Sequence, residues 1–159
     1  ITQVGLKNYR KKIAAVMQDD TLLAGSIADN ICFFDPQPNY LKIEQCAYLA
    51  AIHDDINKMT MGYNSLVGDM GSNLSGGQIQ RLLLARALYQ SPCVLFMDEA
   101  TSNLDKDNEA KISEKTQHLP MTRIMIAHRQ ETINMAEQVY HLDNAILVSL
   151  SETSSQTAS

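Results

Sequence analysis

Leu74-Ser75-Gly76-Gly77-Gln78 opens, and Val94-Leu95-Phe96-Met97-Asp98-Glu99 closes, the stretch whose reading decides the fold. Ser75 is a good helix N-cap, and Ile79, Leu82, Leu83 and Ala87 then recur at the spacing of one helix face. Pro92 stops that helix, which the pattern places over 75–90. The run from Val94 to Met97 shows no polar alternation, which predicts a strand buried on both faces of a parallel sheet. It ends in two adjacent carboxylates. A helix start rich in N–H donors and a metal-capable acidic pair suit the handling of a phosphoanhydride.

The chain on either side follows the same alternation. Residues 1–12 are polar and basic, and suggest a short helix with Leu6 and Tyr9 turned inward. An apolar run over 13–17 predicts a strand ended by Gln18, and 19–21 a turn. Helical patterns follow over 26–34, over 41–52 with Cys46, Leu49 and Ala50 on one face, and around Ile56 and Met59; Asp35-Pro36-Gln37-Pro38-Asn39 breaks the first from the second. Gly62, Gly68 and Gly71 mark a loop leading to Ser75. Beyond the carboxylates, Asp105 or Asp107 caps a helix reaching Leu119 and stopped by Pro120. Residues 123–127 form a further apolar strand ended by His128, then come a short helix over 132–136 and a hairpin pairing 139–142 with 145–150.

Strands alternating with helices mean an α/β chain with a parallel sheet. Residues 21–73 are nearly strand-free and are expected to form a helical subdomain inserted into it. Each predicted apolar strand ends on polar side chains: Gln18, the pair Asp98 and Glu99, and His128. Ligands of open parallel sheets bind beyond the carboxyl ends of the strands, so neighbouring strands would bring these side chains to one crevice.

A chain of 159 residues is enough for one domain with a real core. Its 45% hydrophobic and 19% charged residues are those of a globular protein, and its net charge of −5 argues against a nucleic-acid grip built on a basic face. No stretch approaches the ~20 apolar residues of a membrane span. Cys32, Cys46 and Cys93 form no metal-type spacing and read as reduced, mostly buried thiols. The Ser/Thr-rich residues 149–159 are expected to be a disordered tail.

Each candidate group also has a plain structural role. Successive residues at a strand end point to opposite sides, so one of Asp98 and Glu99 can hold Mg²⁺ while the other orients or deprotonates water; alternatively the pair caps the next helix. Ser75, Gly76 and Gly77 offer a hydroxyl and open amides to a phosphate, or simply cap and pack a helix. His128 alone is an ordinary strand-end histidine, and Gln18 alone carries no signal.

Taken in order, Gln18, Leu-Ser-Gly-Gly-Gln at 74–78, the strand ending Asp98-Glu99-Ala100-Thr101-Ser102, Ser102-Asn103-Leu104-Asp105 and His128 resemble the ATP-binding cassette (ABC) family from about Val4 to Leu142. The resemblance implies a P-loop NTPase-like parallel sheet core, incomplete at the N-terminus, with an inserted ABC α-helical subdomain. It places a partial ATPase domain over 1–148, with the subdomain at about 21–73, the signature helix at 75–90 and the catalytic sheet at 13–18 and 93–142. It implies ATP and Mg²⁺ as cofactors. Leu74, Ser75, Gly76, Gly77 and Gln78 then form the signature, Asp98 and Gln18 reach Mg²⁺, Glu99 is the general base, His128 contacts the γ-phosphate, and Asp105 lies at a dimer contact. The residues 67–71 resemble the exporter-type loop before the signature.

The stretch from Gln18 to Leu23 and from Ile27 to Ile31 resembles peptide exporters, and particularly bacteriocin (colicin V type) exporters that carry a leader-cleaving peptidase. That implies a second ATPase domain and transmembrane domains as partners, a peptide cargo handled by the membrane part, and a place on the cytoplasmic face of the bacterial inner membrane. Ile79, Asn103 and Asp143-Asn144-Ala145 depart from the family's usual residues. No Gly-x-x-x-x-Gly-Lys-[Ser/Thr] occurs, so the phosphate-cradling loop (Walker A) is absent from these residues. The expectation is the C-terminal part of a cassette that is inactive alone. The alternatives are a non-catalytic partner that lends its signature to another cassette, and the head of a chromosome-organising protein; the latter would need a heptad coiled coil that 21–73 does not show.

Overall fold

A computed structural model describes residues 5–67, 74–98, 106–127, 130–134 and 136–149. They fall into two compact units, divided after Ile126. In the first unit, in chain order, lie α1 (Leu6–Arg10), β1 (Ile13–Val16), β2 (Gly25–Ser26), α2 (Ile27–Cys32), α3 (Tyr40–Leu49), α4 (His53–Asn57) and β3 (Leu66–Val67). They are followed by α5 (Gly76–Tyr89), β4 (Val94–Asp98), α6 (Lys106–Thr116) and β5 (Thr122–Ile126). The second unit holds α7 (Gln130–Asn134) and the antiparallel hairpin of β6 (Tyr140–Asp143) with β7 (Ile146–Ser149). Asn144 and Ala145, at φ 47° and 64°, make the two-residue turn that suits the twist of such a hairpin.

The core sheet is parallel, in the order β1-β4-β5. Val16 pairs with Met97 and Asp98 with Ile126, so the carboxyl ends of adjacent strands lie at one edge. One face of the sheet, through Val16, Leu95 and Met97, joins Leu82 of α5 and Ile27, Ile31, Ile43 and Ile56 of the helices in a single buried cluster. The opposite face is open: Phe96 is 39%, Ile124 46% and Ile126 57% exposed. A strand of this composition is expected to be covered on both sides, yet among the described residues one of its sides is exposed.

Other expectations change in detail. Leu6 and Tyr9 are exposed rather than turned inward, because α1 is a five-residue helix that touches little beyond β1. Cys93 is exposed, while Cys32 and Cys46 are buried. The helix expected over 41–52 is Tyr40–Leu49; Ala51 adopts φ 55°, which ends it and lets a separate α4 begin at His53. Within 21–73 a two-residue antiparallel ladder, Gly25 with Val67 and Ser26 with Leu66, ties the two ends of the helical region together. Gly25 is needed there: at φ 154°, a Cβ would lie 3.0 Å from the Phe34 ring.

Helix α2 starts on a reciprocal cap. The Asp29 amide donates to Ser26 Oγ at 3.0 Å, and the Ser26 amide donates to the Asp29 carboxylate at 2.9 Å. The Ser26 hydroxyl and then its amide, both donating to the carboxylate, hold Asp29 below the usual aspartate range. A depressed carboxylate stabilises the fold above its unfolded value, and the contribution is lost as pH falls through the folded value. Ser26→Ala is accordingly expected to cost ~1 kcal/mol near neutrality, with the deficit shrinking in acid. Urea unfolding at a series of pH values measures it; a deficit that stays constant into acid would show that Asp29 is not involved.

Candidate functional site

The helix start at α5 is built from its own sequence. Ser75 sits in an extended conformation (φ −68°, ψ 157°) and caps the helix. The Gln78 amide donates to Ser75 Oγ at 3.2 Å, and the Ser75 amide donates to Gln78 Oε1 at 2.9 Å. The first intrahelical bond runs from the Ile79 amide to the Ser75 carbonyl at 2.9 Å. Gly76 and Gly77 precede the first intrahelical donor, the Ile79 amide, so by helix geometry their own N–H groups have no partner within α5. Ser75 and Gly76 are exposed, and Leu74 packs against the core behind them. Because Ser75 Oγ accepts from Gln78, its hydroxyl hydrogen stays available to donate outward. The helix thus presents two amides and a hydroxyl with the positive end of its dipole. Gln78 spends its side-chain oxygen on the cap.

At the sheet edge, β1 runs out into a turn. The Met17 amide donates to Asp20 Oδ2 at 2.8 Å, and the Asp20 amide to the Met17 carbonyl at 3.2 Å. Gln18 is the exposed second residue of that turn. Asp98, half-buried, ends the neighbouring strand. The pairing of β1 with β4 therefore brings Gln18 and Asp98 to the same edge of the sheet. β5 lies on the other side of β4, with its own end at Ile126. Glu99, Asp105 and His128 lie outside the described residues.

Among the described residues no three His, Cys, Asp or Glu side chains converge on a metal position. One carboxylate at a strand end with a neutral oxygen donor at the same sheet edge is a poor cage for a structural metal. It fits Mg²⁺, which keeps several waters and commonly takes one or two carboxylates together with substrate phosphates.

Two arginines of α5 and one asparagine carry more of the site than their sequence suggested. Arg86 Nε donates to the Asn30 carbonyl at 2.9 Å, one terminal nitrogen to Asn30 Oδ1 at 2.6 Å, and the other to the Thr21 carbonyl at 3.2 Å. Burial pulls its pKa down from the ordinary guanidinium value, and Asp20 opposes that. Asn30 is 1% exposed. Nearer the signature, Arg81 donates to the carbonyls of Gly77 and Ala51, and its guanidinium lies 2.8 Å from Asp55. A signal was present: both arginines stand inside the run from Leu82 to Tyr89 or next to it, where buried alanines and leucines leave no solvent-facing stripe for a charge.

The ABC transporter family model matches residues 1–102. The chain is 47% identical over 139 residues to the probable microcin-H47 secretion/processing ATP-binding protein of Escherichia coli, covering 87% of this chain and 20% of that protein. Identity, length and coverage are the same for the colicin V secretion/processing ATP-binding protein of Escherichia coli. For the toxin RTX-III translocation ATP-binding protein of Actinobacillus pleuropneumoniae, identity is 41% over 141 residues. The chain spans about a fifth of the length of these relatives. Its fold matches a solved bacterial Atm1-family ABC exporter with ATP bound at a TM-score of 0.82 and 34% identity, over 89% of this chain and 25% of that one.

Proposed function

The chain belongs to the ABC transporter family, and from that premise we propose that it is the signature and Walker B part of an exporter's ATPase domain, driving export of a peptide across the inner membrane. One observation supports the reading: the capped start of α5 is open and the ends of β1 and β4 lie at one sheet edge, as the two half-sites of a nucleotide held between cassettes would need. In this reading residues 1–148 are a partial cassette with its helical subdomain at about 21–73.

Ser75, Gly76 and Gly77 donate to the γ-phosphate of a nucleotide held mainly by the second cassette. Two amides and a hydroxyl, fixed in advance by the Gln78 cap, stabilise the charge that develops during transfer without reorganising. Asp98 and Gln18 would hold Mg²⁺, which would supply neutralisation of charge on the phosphate oxygens. Glu99 takes the proton from the attacking water, His128 steadies the γ-phosphate, and Asp105 lies at the contact between cassettes. The relatives named for microcin H47 and colicin V secretion support a peptide cargo. None of the described helices is long and apolar enough to cross a membrane; in this reading transmembrane domains of the exporter hold the cassette at the cytoplasmic face.

A second reading is a non-catalytic partner that lends Ser75 to another cassette's ATP. On either reading the purified 159-residue chain is expected to bind Mg-ATP poorly and to show no measurable turnover, since the phosphates lack their main cradle. Phosphate release measured on the purified chain tests this, and robust turnover lost on Glu99→Gln would overturn it. Sequencing the genomic DNA upstream of Ile1 separates the readings: an in-frame phosphate-loop motif supports the first, an in-frame stop the second.

A further inference from the structure

Between the turn at Gln18 and the start of α2, residues 19–24 belong to no helix or strand. Two side chains from elsewhere hold this segment. Asn30 acts on Leu23 as a strand partner would: its Oδ1 accepts the Leu23 amide at 2.8 Å and its Nδ2 donates to the Leu23 carbonyl at 2.8 Å, and to the Ser26 carbonyl at 3.0 Å. Arg86 then grips the same asparagine twice and the Thr21 carbonyl once. Its guanidinium also faces the Phe33 ring at 5.6 Å. The grip comes from α2 and α5, and the sheet contributes none of these bonds.

Gln18 therefore stands between two anchors. On one side it is joined to β1 through the Met17–Asp20 turn, and on the other, three residues on, to the carbonyl held by Arg86. Arg86 lies eleven residues beyond Ser75, roughly 16 Å along the helix axis at the α-helical rise. We propose that Arg86 and Asn30 are positioning residues that fix Gln18 relative to helix α5, so that the Mg²⁺-facing glutamine and the phosphate-facing helix start are held in one frame. The proposal rests on the nucleotide-binding reading for what Gln18 touches, but not for the clamp itself.

The planar fork explains the residue type. Three donors in fixed directions meet three acceptors on two chain segments, which a lysine's single ammonium cannot span. Arg86→Lys keeps the charge and most of the buried stem but releases the segment.

Hydrogen–deuterium exchange on the 159-residue chain, with no nucleotide present, tests the clamp. In Arg86→Lys, amides of residues 20–24 are expected to exchange roughly tenfold faster, while β1, β4 and α5 keep their protection. Asn30→Asp, which keeps the acceptor and loses the donors, should give an intermediate rise. Unchanged exchange over 20–24, or an equal rise across the sheet, overturns the clamp. For positioning, the nitrogen–proton resonances of the Gln18 side-chain amide should shift or broaden in Arg86→Lys; resonances identical to the wild type would sink that part. In a turnover-competent cassette carrying this segment, Arg86→Lys should raise the Mg²⁺ concentration for half-maximal ATP hydrolysis several-fold. A lower maximal rate with the Mg²⁺ dependence unmoved would mean that the arginine only stabilises the fold. Because the exchange arm contains no nucleotide, a failure of the ATPase reading leaves it standing.

Discussion

In a cassette that joins this segment to a Gly-x-x-x-x-Gly-Lys-[Ser/Thr] loop, Glu99→Gln is expected to lower ATP turnover by ~10²–10⁴-fold, the range that a positioned general base supplies. The amide keeps the size and hydrogen-bonding reach of the carboxylate but cannot accept the proton of the attacking water. Nucleotide affinity should therefore change little, and removing one negative charge near the phosphates should if anything favour the bound state. The result to look for is a split: kcat collapses while the Mg-ATP concentration for half-saturation holds or falls. Asp98→Asn is the control with the opposite signature, because a residue that holds Mg²⁺ should shift the metal dependence as well as the rate. If Glu99→Gln leaves turnover within a few-fold of the wild type, the acidic pair only caps the helix that follows.

Much of this was legible in the chain itself. The spacing of Ile79, Leu82, Leu83 and Ala87 located α5, and the expected cap and the expected parallel strands are present. Periodicity reads which face of a helix is apolar, and a strand-end rule reads where a ligand goes. Cover is less accessible. Val94 to Met97 has the composition of a strand enclosed on both sides, yet Phe96 is open, because composition records what a residue tolerates and not which neighbours are present. The arginines were missed for a related reason. A charge within an apolar run is ordinarily read as a solvated head on a buried stem, whereas Arg86 and Arg81 turn inward to backbone carbonyls whose positions depend on Asn30 and Ala51. Those partners lie 56 and 30 residues away in the chain, beyond what local pattern reports.

Arg81 makes the largest stability prediction. Its side chain is 8% exposed and its partner Asp55 28% exposed. Removing a buried charge's partner commonly costs ~3–5 kcal/mol, and partial solvation of the pair lowers that, so Asp55→Ala is expected to cost about 2–3 kcal/mol. The guanidinium would be left in the interior with only the Gly77 and Ala51 carbonyls. The reverse change is milder: Arg81→Met fills much of the same space and leaves a carboxylate that can turn to water. The double variant should then be more stable than the sum of the singles predicts by ~1 kcal/mol or more, since it removes the stranded charge. Urea unfolding of the four proteins measures the cycle, with unchanged slopes confirming that midpoints report stability. Strict additivity would mean that the pair is a surface contact in effect. A clear coupling would mean that α4 is latched to the first turns of α5, and that the frame presenting Ser75, Gly76 and Gly77 depends on a charge buried one turn behind them.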